Sequence, residues 1–350
     1  MQRFGRMTLT VLLAIGLAAG AAKAEDKNAL RIYFADVEGG QATLFVTPQG
    51  ESLMVDTGWP GFNGRDADRI VALCKKAGVV KIDNLLITHF HTDHVGGVPQ
   101  LAAKMPIGRF IDHGDNTETG DAATTAGWEA YKKTAAGHPR LSVKPGDVLP
   151  IKGMRVEIVS GNGDVIAKPL VGGGAGGQNA ACEKTAMRDE EKSENDRSLG
   201  MLITFGKLRI LDLGDLTWAK ERPLMCPVDK LGRVDVYIVS HHGMDRSGSE
   251  ALVDAVAPRV AIMDNGSKKG GSQPAWTVVE ASPRIAKGKG DLWQLHTAEG
   301  SDAAHNVADK RIANLAGPDS GHSLELDGSR NGSFSVTNER TGETVPYPAQ

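Results

Sequence analysis

Residues 88–97 read Thr-His-Phe-His-Thr-Asp-His-Val-Gly-Gly, and within them His89, His91, Asp93 and His94 form the pattern H-x-H-x-D-H. Three of the chain's ten histidines fall in this one stretch. Neutral imidazole nitrogens and a carboxylate oxygen are the donors a Zn²⁺-like ion takes. Whatever this chain folds into must therefore bring further donors to this segment. The preceding residues, Ile82-Asp83-Asn84-Leu85-Leu86-Ile87, read as a short buried strand. His89 and His91 alternate, so an extended backbone points both to one side. Asp93 and His94 are adjacent, so they diverge and can face a second ion. A polar loop with chance histidines is the competing reading; the strand before and the glycines after weigh against it.

Later segments offer the remaining donors. The run 201–215, Met-Leu-Ile-Thr-Phe-Gly-Lys-Leu-Arg-Ile-Leu-Asp-Leu-Gly-Asp, reads as two strands around a turn at Gly206, with Asp215 where the second strand ends. A carboxylate there can bridge two cations; equally, it can cap the helix that Leu216-Thr217-Trp218 begins. Val234-Asp235-Val236-Tyr237-Ile238-Val239-Ser240 is an apolar strand running into His241-His242-Gly243, a second delivery of histidines from a strand into a loop. His113 follows the short strand Arg109-Phe110-Ile111-Asp112 and is the candidate third nitrogen for the first ion, although a lone histidine is more often structural. Single histidines such as His296 and His305 carry no motif.

These stretches together resemble the metallo-β-lactamase superfamily, whose hallmark is H-x-H-x-D-H after a strand. Within it the chain is most similar to the hydrolase domain of bacterial competence DNA-uptake proteins. Asp36-Val37-Glu38-Gly39-Gly40-Gln41-Ala42 is similar to that group's D-V-G-x-G-D-A opening, and Leu53-Met54-Val55-Asp56-Thr57-Gly58 to its I-D-T-G strand. Asn195-Asp196-Arg197-Ser198-Leu199 resembles its N-x-x-S-L element, and Ser240-His241-His242-Gly243 its H-H-G-S loop. The segments occur in family order from residue 30 to about 300. Departures are Glu38 for a glycine, Gln41-Ala42 without the usual acid, and Met244-Asp245 where a serine often follows.

The resemblance implies an α/β fold, a four-layer αββα sandwich, and two Zn²⁺ ions per chain, with Mn²⁺ or Fe as other occupants. It implies that His89, His91 and His113 hold the first ion, that Asp93, His94 and His242 hold the second, and that Asp215 bridges them. His242 is preferred to His241 on this resemblance alone; His241 is left to contact substrate or move a proton, and Asp93 and His241 are the candidate catalytic residues. Asp56 is expected to orient a ligand histidine. The implied chemistry is hydrolysis by a hydroxide held between the ions. An aspartate rather than a cysteine at position 215 resembles the phosphodiesterase side of the superfamily, so a phosphoester or phosphodiester is the expected substrate. Lactam, lactone or thioester hydrolysis is the alternative. A catalytically dead extracellular binding module is the alternative from a different class, and the intact motif argues against it.

Residues 1–24 carry Arg3 and Arg6, an apolar run and Ala22-Lys23-Ala24, the regions of a cleaved signal peptide. The expected mature domain is 25–350, periplasmic or secreted, with no later apolar stretch able to span a bilayer. The formal net charge is −3, and three of the cations lie within residues 1–24. Such a surface does not favour duplex nucleic acid; a small or flexible anionic substrate fits better, drawn by the ions themselves. The oligomeric state has no signature. Of the three cysteines, Cys74 sits in a helical pattern and reads as a buried thiol, while Cys182 and Cys226 are candidates to pair.

Strands are expected near 30–36, 41–47, 52–56, 154–160, 200–205, 208–213, 234–239 and 259–263, with helices near 65–77 and 122–135. The segment 161–195, with six residues Gly-Gly-Gly-Ala-Gly-Gly and then a charged run, reads as a mobile insertion, either decorative or a lid. Asp327-Gly328-Ser329-Arg330-Asn331-Gly332 reads as a hairpin turn near the C-terminus.

Overall fold

A computed structural model describes residues 28–288 and 290–350; the expected signal peptide lies outside them. Two sheets dominate. The first opens with β1 (Leu30–Phe34), β2 (Thr43–Val46), β3 (Ser52–Val55), β4 (Asn84–Leu86), β5 (Phe110–Asp112) and β6 (Arg140–Ser142). The second comprises β7 (Arg155–Gly161), β8 (Asp164–Val165), β9 (Gly200–Phe205), β10 (Leu208–Asp212), β11 (Val236–Ile238), β12 (Val260–Met263), β13 (Asp291–His296) and β14 (Ile312–Asn314). The chain then returns to the first sheet with β15 (Leu324–Gly328), β16 (Phe334–Asn338) and β17 (Thr344–Tyr347). The spatial orders are β17-β16-β15-β1-β2-β3-β4-β5-β6 and β14-β13-β12-β11-β10-β9-β7-β8. β3 to β6 run parallel, as do β10 to β14.

The period-2 geometry of a strand sends successive side chains to opposite faces, and here both faces are apolar because both are covered. Leu53, Val55, Leu86 and Ile111 meet Ile203, Ile210, Val236 and Ile262 between the sheets. Met54, Leu85 and Phe110 point the other way, against α1 (Arg65–Lys76), α3 (Val98–Ala102) and α4 (Ala122–Ala135). Leu202, Leu211 and Tyr237 do the same on the second sheet, against α5 (Trp218–Met225) and α6 (Glu250–Val256). The expected αββα sandwich is present. Local sequence supports it: Asp121 caps α4 by accepting from Thr124 N at 2.7 Å, and α1 has Asp66 and Asp68 in its first turn and Lys75 and Lys76 in its last. The hairpin near the C-terminus also forms, joining β15 to β16 and extending the first sheet.

The segment 161–195 is not the loose insertion that its composition suggested. Cys182 is disulfide-bonded to Cys226. Backbone bonds run from Leu170 N to Lys230 O, Gly176 N to Asp229 O and Arg233 N to Gly173 O. Glu194, in the charged part, is fully buried. Its side chain accepts from Phe90 N and Thr117 N. A polar run can thus be ordered by backbone and carboxylate bonds without an apolar core of its own. Cys74 is a buried free thiol, its pKa pushed up to about 12 by burial.

Candidate metal centre

Three strand ends meet at one edge of the sandwich. β4 runs into Ile87-Thr88, then His89 and His91, and a single helical turn, α2 (Thr92–Val95), supplies Asp93 and His94. β10 ends at Asp212 and turns through Gly214 to Asp215. Gly214 is left-handed, with φ 54°, a conformation that favours glycine, and a Cβ there would sit a tight 3.0 Å from Thr88 Cβ where the two strand ends approach. β11 leads into Ser240–Gly243, a tight turn in which both His241 (φ 55°, ψ 40°) and His242 (φ 54°, ψ 19°) are left-handed. Each such residue costs about 1–3 kcal/mol. The turn is held by His241 N donating to Gly214 O (3.0 Å) and by Gly271 N donating to His242 O (2.9 Å). Gly40 closes the centre from the N-terminal side; a Cβ on it would lie 2.3 Å from Asp93 O.

The donor atoms converge tightly. Asp93, His94, Asp215 and His242 place one ligand atom each within 4.8 Å of one another, and all four are buried. His94 Nε2 lies 3.3 Å from Asp93 Oδ2, 3.3 Å from Asp215 Oδ1 and 3.2 Å from His242 Nε2. His242 Nε2 lies 3.2 Å from Asp93 Oδ2 and 3.4 Å from Asp215 Oδ1. Zinc–ligand bonds of about 2.0 Å in a tetrahedron separate ligand atoms by about 3.3 Å. All five separations match that edge, and Asp215 Oδ1, buried, has no hydrogen-bond partner. The residues present fit a divalent cation.

His89 and His91 form a neighbouring group. His89 Nε2 is 3.1 Å from His91 Nδ1 and 3.9 Å from Asp215 Oδ2. The two oxygens of Asp215 therefore face different sets of histidines. The imidazole nitrogens of His94, His91 and His89 that point away from the centre are hydrogen-bonded, whereas His242 Nδ1 is buried without a hydrogen-bond partner among the described residues. His94 Nδ1 meets Asp56 Oδ2 at 2.7 Å, the orienting contact expected of Asp56; His91 Nε2 meets Glu118 Oε2 at 3.0 Å; His89 Nδ1 meets Thr88 Oγ1 at 3.1 Å. His242 Nδ1 lies 3.3 Å from Asp264 Oδ1.

Charge is strongly organised. Burial alone would lower His94, but the Asp215, Asp93 and Asp56 carboxylates hold it well above the ordinary imidazole range. Burial is likewise outweighed at His242, which Asp215 holds up to about 10. Burial would raise Asp93 and Asp215; the facing histidines, with Lys269 at Asp93, keep both well below the usual carboxylate range. His89, by contrast, is pushed well down by burial and by His94 and His91. The field that favours protons on His94 and His242 is the field that would favour a dication in their place.

His113 is buried beside the motif, with Nε2 2.9 Å from Glu194 Oε2, its ring 4.7 Å from that of Phe90, and Nδ1 without a hydrogen-bond partner among the described residues. Its Nε2 is turned to a carboxylate. Asp215 does not cap a helix, since Thr217 holds that position for α5. His296 pairs with Asp36 at 2.6 Å, and His305 with Asp302 on the surface. Sequence reading missed Lys269, whose ammonium contacts Asp93 Oδ2 and lies 5.2 Å from the Trp59 ring centroid. It missed Glu118 and Glu194 too. Only Glu194 had a signal, its place next to Asn195 in the N-x-x-S-L element.

Residues 35–176 match the family model described as Metallo-beta-lactamase superfamily. Recombination protein 2 of Haemophilus influenzae is 26% identical over 252 residues, 70% of this chain and 25% of that protein. ComE operon protein 3 of Bacillus subtilis is 24% identical over 208 residues, 59% of this chain and 23% of that one. Hydroxyacylglutathione hydrolase of Stenotrophomonas maltophilia is 35% identical over 68 residues, 19% of this chain and 23% of that enzyme. The chain spans about a quarter of the length of these relatives. Among solved structures, the diiron β-hydroxylase CmlA of Streptomyces venezuelae is similar at 17% identity and a TM-score of 0.43, over 77% of this chain and 53% of that one.

Proposed function

Starting from a chain that carries a domain of the metallo-beta-lactamase superfamily, a superfamily of metal-dependent hydrolases, we propose that it hydrolyses a phosphoester or phosphodiester with two zinc ions. Asp93, His94 and His242 would hold one ion and His89 and His91 the other, with Asp215 able to serve both. The observation that carries this reading is the division of Asp215: Oδ1 is 3.3 Å from His94 Nε2, while Oδ2 is 3.9 Å from His89 Nε2. When bound, a pair of dications brings water towards neutral pKa and stabilises negative charge growing on the electrophile.

The chain's own residues do the rest. Asp56 and Glu118 fix the ring orientation and tautomer of His94 and His91, so that Nε2 of one and Nδ1 of the other stay free to coordinate. Gln41 Nε2 donates to Asp212 Oδ2 at 2.7 Å and pins the strand end that leads to Asp215. Lys269 is only partly buried, while Asp93 beneath it is largely buried. Its ammonium at the mouth of the centre favours an anionic substrate, and Trp59 beside it supplies an apolar wall. This is the reason to rank a phosphoester above an uncharged acyl compound. The 35% identity to a hydroxyacylglutathione hydrolase over 68 residues supports thioester hydrolysis as the second reading.

Secretion rests on the composition of residues 1–24 and is supported by the Cys182–Cys226 disulfide, which belongs to oxidising compartments. Purified protein loaded with zinc, manganese or iron is to be tested against bis-p-nitrophenyl phosphate, nitrocefin, an acyl-homoserine lactone and a glutathione thioester. Turnover of the phosphodiester, abolished by chelation and restored by metal, is the expected result. Turnover of the thioester alone would reverse the ranking.

A further inference from the structure

Among the described residues no contact joins His113 to His89 or His91, and its Nε2 is taken by Glu194. We infer that His241 supplies the third nitrogen of the His89–His91 group: its Nε2, with His89 Nε2, His91 Nδ1 and Asp215 Oδ2, holds the first ion, so the adjacent histidines of one turn serve different metals. The inference rests on the two-ion reading above and names a ligand that reading leaves out.

Three observations carry it. His241 Nε2 lies 3.3 Å from Asp215 Oδ2, the ligand edge of a tetrahedral site. This is the oxygen facing His89, not the one facing His242. Next, the opposite nitrogen, Nδ1, lies 3.3 Å from Ser247 Oγ. His241 thus repeats the arrangement of His89, His91 and His94, in which one nitrogen is anchored and the other turned inward. Last, the consecutive left-handed backbone at His241 and His242 sets their rings 76° apart with centroids separated by 6.2 Å. With that backbone, His241 Nε2 faces Oδ2 of Asp215 and His242 Nε2 faces Oδ1 of the same carboxylate. A proton-transfer role would need Nε2 open towards substrate; here it is aimed at a buried carboxylate and the residue is 8% exposed.

The test counts ions. Full-length protein and its His241→Ala and His241→Asp variants are loaded with Zn²⁺, dialysed and assayed for zinc per chain, with Zn K-edge absorption to count imidazoles per ion and near-ultraviolet circular dichroism to confirm folding. Wild type should hold two ions. His241→Ala should hold one, or bind the weaker ion about 10- to 100-fold less tightly, with a lower imidazole count per zinc than wild type bound to two. His241→Asp, which restores a ligand oxygen, should recover the second ion. If folded His241→Ala keeps two ions at wild-type affinity, the assignment of His241 fails while the two-ion reading stands. If wild type itself binds fewer than two, both fail.

Discussion

The two halves of the metal centre are built differently. Around His94 and His242, donor atoms sit 3.2–3.4 Å apart, carboxylates surround the imidazoles, and the group is complete from Asp93, His94, Asp215 and His242. Around His89 and His91 the spacing opens to 3.9 Å at Asp215 Oδ2, and His89 is disfavoured as a cation by burial and then by its histidine neighbours. The first half is preorganised by charge; the second is held mainly by neutral contacts, with Glu118 the one carboxylate behind it. If the centre takes two ions as proposed, they should bind with unequal affinity, the His94–His242 half filling first.

The largest effect should come from Asp215, the residue both halves share. Asp215→Ala should strip both ions and reduce phosphodiester turnover by about 10³-fold, the equivalent of the several kcal/mol that metal ions contribute. Zinc per chain and kcat check it, and retention of both ions would break the comparison at its root. Asp93→Ala should empty only the His94–His242 half; because Asp93 is buried beneath Lys269, this variant also reports whether the ammonium needs that carboxylate to stay in place.

A smaller contrast separates the orienting carboxylates. Asp56→Asn should weaken the tighter ion by about 10- to 100-fold, because Asp56 is fully buried and bonded to His94 and Thr88. Glu118→Gln should weaken the other ion by less, since the Glu118 side chain is about a quarter exposed and water can replace it. Competition with a chromogenic chelator measures both, and equal losses would mean that the halves do not differ in preorganisation.

The smallest effect lies outside the centre. Asp36 raises His296 above its ordinary value against the effect of burial, and His296 lowers Asp36. A raised histidine stabilises the fold fully below its unfolded value of 6.5 and loses that contribution as pH rises through its higher folded value. Thermal midpoints should therefore fall in the window above pH 6.5, and His296→Gln should flatten that fall. Unchanged curves would show the pair to be energetically neutral.

Much of the fold was legible from residues alone. Apolar strands covered on both faces read as continuous runs, and the motif's spacing announced where a strand ended and donors began. Asp56, Asp215 and the His241–His242 pair were visible for the same reason, each following a recognisable strand. His113 was legible as a histidine after a strand, but not its partner: Glu194 is 81 residues further on, in a charged run whose burial no local pattern signals. Lys269 contacts Asp93 across 176 residues and lies in a glycine-rich loop without a motif. The order within 161–195 comes from a disulfide and from backbone bonds to residues 227–233, which composition does not encode.

The sequence by itself determined which donors exist and that they emerge from strand ends, because ligand chemistry and strand periodicity are properties of short segments. Only the tertiary structure decided which oxygen of Asp215 faces which histidine, and that His113 turns to a buried glutamate. Those choices depend on distances of 3–4 Å between segments far apart in the chain, set by how two sheets pack and by backbone angles that no residue type dictates.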